Sequence, residues 1–301
     1  MNSNEHLLDQ PIIFIGPGRS GSTIISEFVF AHEDLAWPSN HLEHFPRNVW
    51  LNYLRRLFDN DYWRVLGEKS QGKGNRSPLL NLLAPRPAEA YPFWENMTRR
   101  EINFSRDFLL NVTATPEEKA RIRHAASRIV AYQKRKRFSM KTTGPGRVEY
   151  LKSIFPEAIF VNVVREVGPT VASLLNIPFW EDLGKHRLWW TGAYSADDLS
   201  FFETIKHDPT AVTAFQVQKI IATTVKEANQ TGARMLTVKY EDFAESPNSV
   251  IGEILDFCQL SNSKTIQKKL AATKVRQMNQ TDTLCNQQRR AISSVLEWSP
   301  N

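Results

Sequence analysis

Cysteine is scarce in this chain of 301 residues, which contains only Cys258 and Cys285. The two lie far apart and fit neither a zinc-binding nor a redox motif, so we expect two reduced thiols. Long apolar runs are also missing, because no stretch approaches the roughly 18 apolar residues that a membrane-spanning helix needs. The first ten residues are polar and lack the basic segment and apolar run of a secretory signal. These absences predict a cytoplasmic protein without a membrane span.

The chain has no strong excess of either charge, since 38 Lys and Arg against 32 Asp and Glu give a formal net charge of +6. Hydrophobic residues make up 41% and charged residues 23%, which is ordinary for a folded domain and excludes wholesale disorder. A mild basic excess suits nucleic acid, an acidic membrane surface or a polyphosphate. The densest basic run, Lys119–Lys152, has no recognised nucleic-acid-binding motif beside it, so we expect no nucleic-acid partner.

Strands and helices alternate along the sequence. Short apolar, β-branched runs predict three buried strands, at Pro11–Ile15, Ala158–Val164 and Arg234–Val238. Helical patterns follow each of them, which favours an α/β fold with a central parallel sheet covered on both faces, that is, a three-layer core. Residues from about 44 to 138 are mostly helical in pattern, with a helix start at Thr115-Pro116. We therefore expect a single domain over residues 1–301 with a helical insertion at about 44–138.

A glycine-rich segment follows the first predicted strand. It reads Gly16-Pro17-Gly18-Arg19-Ser20-Gly21-Ser22-Thr23 and leads into a helix predicted over Ser22–Ala31. Such a loop directs backbone N–H groups and the positive helix N-terminus at an anion, and its glycines allow close approach. Where a Walker A motif has its lysine, this chain has Ser22, and the cationic side chain is Arg19 instead. The segment predicts a metal-free phosphate or sulfate site formed by Arg19, Ser20, Gly21, Ser22 and Thr23.

Two more motifs put cations at predicted strand ends. Arg165 directly follows the second strand, and Ser173 lies in the helix after it. Ligands of open α/β sheets bind at the carboxyl ends of the strands, so these two side chains can converge on a second phosphate. Lys141 follows a short predicted strand, Phe138–Met140, where it can stabilise negative charge on a leaving phosphate oxygen.

These motifs, in this order, resemble those of the PAPS-dependent sulfotransferases, where PAPS is 3′-phosphoadenosine 5′-phosphosulfate. The segment Arg19–Thr23 is similar to the family's 5′-phosphosulfate loop, and Arg165 with Ser173 is similar to its 3′-phosphate motif. Lys141 looks like the lysine of the family's Lys-Thr-Pro stretch, and Tyr240-Glu241-Asp242-Phe243 resembles its Tyr-Glu-Asp-Leu segment. The loop looks closer to bacterial, tyrosylprotein and carbohydrate sulfotransferases than to the cytosolic steroid and phenol enzymes.

The resemblance implies both a fold and a reaction. The fold is a P-loop-like α/β core, and the reaction is in-line transfer of a sulfuryl group from PAPS to a hydroxyl or amine, without a metal. It implies that Arg19 and the backbone of Ser20–Thr23 hold the 5′-phosphosulfate. The resemblance also implies that Arg165 and Ser173 bind the 3′-phosphate and that Tyr240 belongs to the nucleotide-binding residues.

A general base is expected for a hydroxyl acceptor, and relatives carry one just after the first helix. A histidine, or a glutamate with a raised pKa, suits this task near neutral pH. In this chain the region reads Ser39-Asn40-His41-Leu42-Glu43-His44. Asn40 cannot act as a base, so His41 is the first candidate and Glu43 its rival or orienting partner.

The acceptor and two other functions stay open at this point. An aromatic block at residues 179–202 fits either a hydrophobic core or the lining of an aromatic, lipid or sugar site. The basic run can attract an anionic acceptor such as an acidic glycan. The acceptor is therefore a small molecule, a lipid or a carbohydrate, and the oligomeric state is open. The alternatives to a sulfotransferase are a degenerate P-loop kinase or NTPase and a non-catalytic protein that binds PAP, the spent donor.

Overall fold

Five parallel strands form one sheet at the centre of the protein. The computed structural model describes residues 8–60, 62–67, 83–273 and 284–298. The strands lie in the order β2-β3-β1-β4-β5, with the bounds β1 Ile12–Ile15, β2 Leu35–Ala36, β3 Arg137–Lys141, β4 Ile159–Val164 and β5 Arg234–Lys239. The central strand β1 pairs with β3 on one side and with β4 on the other. The predicted α/β fold with a central parallel sheet is confirmed.

Helices cover the sheet. Within the described ranges the α-helices are α1 Ser22–Val29, α2 His41–His44, α3 Tyr91–Met97, α4 Pro116–Gln133, α5 Val148–Ile154, α6 Val167–Leu175, α7 Pro178–Leu183, α8 Ala196–Ile205, α9 Pro209–Thr231, α10 Tyr240–Glu245, α11 Pro247–Phe257, α12 Lys264–Ala272 and α13 Asn286–Glu297. A 3₁₀ helix, Val49–Phe58, and a π-helix, Trp63–Gly67, precede α3.

Alternate side chains of β1 enter two hydrophobic cores, one on each face of the sheet, as the two-residue period of a strand requires. Ile13 and Ile15 pack into a core that includes residues of α4, α5 and α9. Ile12 and Phe14 pack into a second core that includes residues of α1, α11 and α12. All four side chains are fully buried, so the sheet is the middle of three layers. The all-apolar sequence of β1 follows from burial on both faces.

The segment predicted as a helical insertion joins the neighbourhood of β2 to β3. Its described parts comprise the 3₁₀ helix, the π-helix, α3 and α4. Helix α4 begins at the predicted cap, where the Glu118 N–H donates to Thr115 Oγ1 (3.2 Å) and the Thr115 N–H donates to Glu118 Oε2 (2.8 Å). The residues just before α3 reach the carboxyl edge of the sheet, where Glu89 contacts Lys141.

Two elements have no counterpart in the sequence analysis. Strand β2 has only two residues, Leu35 and Ala36, which is too short to show a periodic pattern. Helix α8 begins at a capping box in which the Asp198 N–H donates to Ser195 Oγ (3.1 Å), a start signal inside the aromatic block. No α-helix in the described part of the chain is both long enough and apolar enough to cross a bilayer.

A buried carboxylate on α9 ties that helix to α5. Glu227 is 3% exposed and accepts hydrogen bonds from the backbone N–H groups of Val148 and Glu149, at the start of α5. Burial raises the pKa of Glu227 to about 7, against the opposing effect of these hydrogen bonds. Between its ordinary pKa of 4.5 and about 7, the folded chain therefore holds a proton that the unfolded chain has lost. Stability is expected to fall as the pH rises through this window.

The variant Glu227→Gln tests this expectation because glutamine stays neutral. We expect its free energy of unfolding to be close to that of the wild type near pH 4.5 and about 1 to 3 kcal/mol higher at pH 8. Urea denaturation at both pH values measures the difference. Glu297→Gln, at an exposed position of α13, is the control. A Glu227→Gln protein that loses as much stability as the wild type between the two pH values would contradict the expectation.

Candidate active site

Four neighbouring strands end at one cavity of about 720 Å³. The glycine-rich loop follows β1, Lys141 ends β3, Arg165 follows β4, and Tyr240 follows β5. Since parallel strands put their carboxyl ends on the same edge, motifs that lie far apart in the sequence meet here. The predicted donor residues that line the cavity are Arg19, Gly21, Ser22, Thr23, Arg165, Ser173 and Tyr240.

The loop after β1 depends on two glycines. Gly16 has φ +144°, and a Cβ there would lie 2.1 Å from the carbonyl oxygen of Val163. Gly21 has φ +85°, and its Cβ would lie 2.1 Å from Cδ2 of Tyr240. Both the backbone conformation and the packing therefore exclude a side chain at either position. Helix α1 begins directly after Gly21 with no acidic residue in its first turn, which leaves its N-terminus suited to an anion.

The first and second motifs touch each other. Arg19 Nε donates a hydrogen bond to Ser173 Oγ at 2.9 Å, although the two residues belong to different loop–helix units. Arg19 itself has a φ of 69°, a left-handed conformation that is uncommon for a residue other than glycine. The surrounding structure holds this conformation and directs the guanidinium towards α6.

The side of the cavity nearest β5 is formed by a cation and an aromatic ring. The guanidinium of Arg165 lies over the ring of Tyr240, 4.8 Å from its centroid. Its Nε lies 4.0 Å from a carboxylate oxygen of Glu241. The same tyrosine ring packs on Gly21, so Arg165, Tyr240 and the loop form one contiguous surface. Ser20 differs from its neighbours, because its side chain is fully buried and does not line the cavity.

Lys141 connects the loop to the insertion. Its Nζ donates to Thr23 Oγ1 at 2.8 Å and forms an ion pair with Glu89 Oε1 at 2.8 Å. The other oxygen of Glu89 accepts a hydrogen bond from Thr143 Oγ1 at 2.8 Å. The Tyr91 hydroxyl fixes this arrangement, since it donates to the Thr143 carbonyl (2.6 Å) and accepts from the Thr143 N–H (3.0 Å). Glu89 thus lines the cavity with each of its carboxylate oxygens held by a neighbouring side chain.

Opposing effects set the pKa of Glu89. Burial raises it, but the charge of Lys141 and the hydrogen bonds from Lys141 and Thr143 outweigh burial, so the pKa lies below its ordinary value. Glu89 is therefore a carboxylate at neutral pH. A carboxylate can accept a proton from a bound hydroxyl group.

The sequence analysis missed Glu89 and named His41 and Glu43 instead. His41 is 6% exposed, and its Nδ1 lies 3.2 Å from Ser39 Oγ. Glu43 lies on α2, where partial burial of its carboxyl group raises the pKa and the charge of Glu89 adds to the effect. Neither residue lines the cavity. No local pattern marks Glu89, because only the fold brings the residues before α3 to the end of β3.

Asn40, next to the candidate base His41, forms two hydrogen bonds to the backbone of Arg86. Its side-chain Oδ1 accepts from the Arg86 N–H at 2.7 Å, and its own N–H donates to the Arg86 carbonyl at 2.9 Å. These bonds hold the segment that delivers Glu89. Among the described residues, no group of three or more His, Cys, Asp and Glu side chains has the arrangement of a metal site.

A parallel sheet with a glycine-rich loop between β1 and α1, and cations at the same edge, defines a P-loop-like α/β protein whose candidate site suits an anionic ligand. A family model described as the sulfotransferase family matches residues 11–264. The chain belongs to this family, as the order of its motifs predicts. No protein of curated function gives a significant match to the sequence.

Two solved structures are similar over most of their length. Sulfotransferase STF9 from Mycobacterium avium is 14% identical, with a TM-score of 0.55 over 96% of this chain and 76% of that chain. Sulfotransferase STF1 from Mycobacterium tuberculosis H37Rv is 16% identical, with a TM-score of 0.50 over 95% and 77%. At these identities the likeness supports a shared fold.

The close packing of Gly21 against Tyr240 leads to a prediction for Gly21→Ala. The added Cβ must displace the loop or the ring, so we expect affinity for PAP, the nucleotide that the resemblance implies, to fall by about tenfold to a hundredfold. Isothermal titration calorimetry measures it. Gly252→Ala is the control, since a Cβ at that position in α11 meets nothing within 4 Å. Wild-type PAP affinity in folded Gly21→Ala would rule out a binding role for the loop.

Proposed function

We propose that this chain transfers the sulfuryl group of PAPS to a hydroxyl group of a small acceptor, by in-line displacement. The hydrogen bond from Arg19 to Ser173 carries this proposal. It joins the candidate 5′-phosphosulfate loop to the candidate 3′-phosphate motif in one cavity. A donor with anionic groups at the 5′ and 3′ positions of the same ribose requires such an arrangement. The proposal includes the cytoplasmic location expected from the sequence, where free thiols such as Cys258 and Cys285 persist.

The donor side of the cavity fits a nucleotide with two anionic groups. PAPS supplies the sulfuryl group, with the 5′-phosphate as its leaving group. Arg19, with the backbone of Ser22 and Thr23, holds the phosphosulfate, since a guanidinium fork and helix N–H groups both bind such oxygens. Arg165 and Ser173 hold the 3′-phosphate and orient the nucleotide. Tyr240 supports the loop and stacks under Arg165.

We assign Glu89, rather than His41 or Glu43, as the general base. It lines the cavity, carries a negative charge, and contacts the lysine that would stabilise the leaving phosphate. Lys141 cannot neutralise Glu89 and a phosphate oxygen equally. A bound donor that attracts Lys141 therefore weakens the ion pair between Lys141 and Glu89. The pKa of Glu89 then rises, which makes it a stronger base once the donor is bound.

A kinase or NTPase fits the site less well. Ser22 stands where the phosphate-binding lysine of a Walker A motif belongs, and Arg165 follows β4 where a magnesium-binding acid would be expected. A protein that binds PAP without catalysis does not account for Glu89, which is oriented by three neighbouring residues and faces the same cavity.

The donor site is tested by calorimetric titration with PAP in the presence of EDTA. Wild-type protein is expected to bind with micromolar or tighter affinity, and Arg165→Ala to bind about a hundredfold more weakly, because a charge-assisted contact to phosphate is lost. The control is Arg56→Ala, a residue of the 3₁₀ helix outside the cavity. Binding of ATP that requires Mg²⁺, with no binding of PAP, would overturn the sulfotransferase assignment.

The base is tested by Glu89→Gln, with PAP release from PAPS measured using the fastest acceptor of a panel of phenols, alkyl alcohols and sugars. We expect kcat to fall by about 100- to 10,000-fold with PAP binding retained. His41→Gln and Glu43→Gln, the matched controls, should stay close to the wild type. A large loss in either control with little loss in Glu89→Gln would move the base to that residue.

The pH profile separates the same candidates independently. The value of kcat/KM for PAPS reports groups of the free enzyme. With Glu89 as the base it should fall only below pH 4.5, since the pKa of Glu89 is lower than that value. With an ordinary histidine as the base it would fall below about pH 6.5.

A further inference from the structure

Beyond the donor residues, the cavity lining includes a group of four aromatic side chains that are close in sequence. They are Phe179, Trp180, Trp189 and Trp190, with Leu174 and Leu183 beside them. Trp180 and Trp190 are buried, and their ring centroids lie 5.3 Å apart, so the two rings pack against each other. Phe179 is 58% exposed although it is a large apolar side chain. We call these four aromatic residues the aromatic wall.

The aromatic wall lies next to Glu89. Gly144 has φ +87°, and a Cβ there would lie 2.8 Å from Nε1 of Trp190, so the backbone after β3 packs directly on this ring. Gly144 follows Thr143, which donates its hydroxyl hydrogen bond to Glu89. Trp190 and Glu89 therefore contact adjacent residues of the segment after β3, and both line the same cavity.

One face of Trp189 is already occupied. The guanidinium of Arg106 lies 4.5 Å from the centroid of this ring, and its Nε donates to the Trp189 carbonyl at 2.9 Å. Arg106 does not line the cavity, whereas Trp189 does. The opposite face of the indole is thus the one that faces a ligand, and a flat ring is the shape that stacks best on it.

The charges around this part of the cavity disfavour an acidic acceptor. Of the basic side chains between Lys119 and Lys152, Lys141 pairs with Glu89, and none of the others lines the cavity. Several instead hold the fold together: Arg121 donates to the Met97 carbonyl (3.0 Å), and Arg135 pairs with Asp59 (2.6 Å). Beyond the donor residues, the charged side chains that line the cavity are Glu27 and Glu89, both acidic, and they disfavour an anion.

We propose that the acceptor is a flat, uncharged phenol that stacks on the aromatic wall and presents its hydroxyl group to Glu89. This inference rests on the proposed sulfotransferase function. The phenol oxygen forms a bond to sulfur as the bond from sulfur to the bridging phosphate oxygen breaks. The electron pair of that bond leaves with PAP, and the phenolic proton passes to Glu89. The products are an aryl sulfate and PAP.

The acidity of the hydroxyl group supports a phenol over an alkyl alcohol. A phenolic O–H has a pKa of about 10, as in tyrosine. A hydroxyl as weakly acidic as water has a pKa of about 15.7. A carboxylate is a weak base, and Lys141 makes Glu89 weaker still in the free protein. A weak base deprotonates the more acidic hydroxyl group far more readily.

The test compares four acceptors with PAPS as donor: 2-naphthol, 1-octanol, methyl glucoside and N-desulfated heparan. Sulfated product is measured by mass spectrometry. We expect kcat/KM for 2-naphthol to exceed each of the others by about tenfold or more. A higher value for octanol, the glucoside or the glycan would overturn the proposal.

Two variants test the aromatic wall itself. Trp189→Leu and Phe179→Ala are expected to raise KM for 2-naphthol about tenfold while PAP affinity stays unchanged. Phe179 is exposed, so its truncation is compatible with folding, and Trp50→Leu, an exposed tryptophan outside the cavity, is the control. Variants that weaken PAP binding and leave the KM for 2-naphthol unchanged would instead assign the wall to the adenine.

The two proposals fail in distinguishable ways. If PAP binds and the binding depends on Arg165, but 2-naphthol is not sulfated, only the phenol proposal is wrong. If PAP does not bind at all, the sulfotransferase assignment fails, and the phenol proposal fails with it.

Discussion

The ion pair between Lys141 and Glu89 is the contact that unites the two parts of the site. Through Thr23, the same lysine also reaches the first turn of α1. One ammonium group thus touches both the loop proposed to bind the donor and the carboxylate proposed to face the acceptor. The three N–H donors of Lys141 are shared among these partners. An anion bound in the loop therefore competes with Glu89 for the Lys141 ammonium group.

The scaffold makes this competition possible. Because β1 and β3 are parallel neighbours, the loop after β1 and the last residue of β3 emerge side by side. The hydrogen bonds between Asn40 and Arg86 then hold the segment that carries Glu89 against this edge. A charged side chain that is 9% exposed is costly to leave unpaired, which explains why Lys141 forms an ion pair with Glu89.

The sequence marks the candidate donor residues more clearly than it marks Glu89, for a physical reason. Arg19 and Gly21 lie in the loop after β1, and Arg165 directly follows β4. The carboxyl ends of neighbouring parallel strands meet at one edge of the sheet, whatever the length of the chain between them. Glu89 precedes a helix of the insertion and meets Lys141 only through tertiary packing, so no spacing in the sequence reveals it. The aromatic residues were equally ambiguous, because a tryptophan such as Trp180 can be a core residue and line a cavity at once. In the same way the two-residue strand β2 is too short to leave a pattern.

The most direct test of the shared lysine is a double-mutant cycle in PAP affinity, with Glu89→Gln and Lys141→Met measured singly and together by calorimetry. If Lys141 is divided between Glu89 and the donor, Glu89→Gln frees it and tightens PAP binding by about five- to tenfold, and this gain disappears in the Lys141→Met background. If Glu89→Gln leaves PAP affinity unchanged, or has the same effect in both backgrounds, the two sites are not coupled through Lys141.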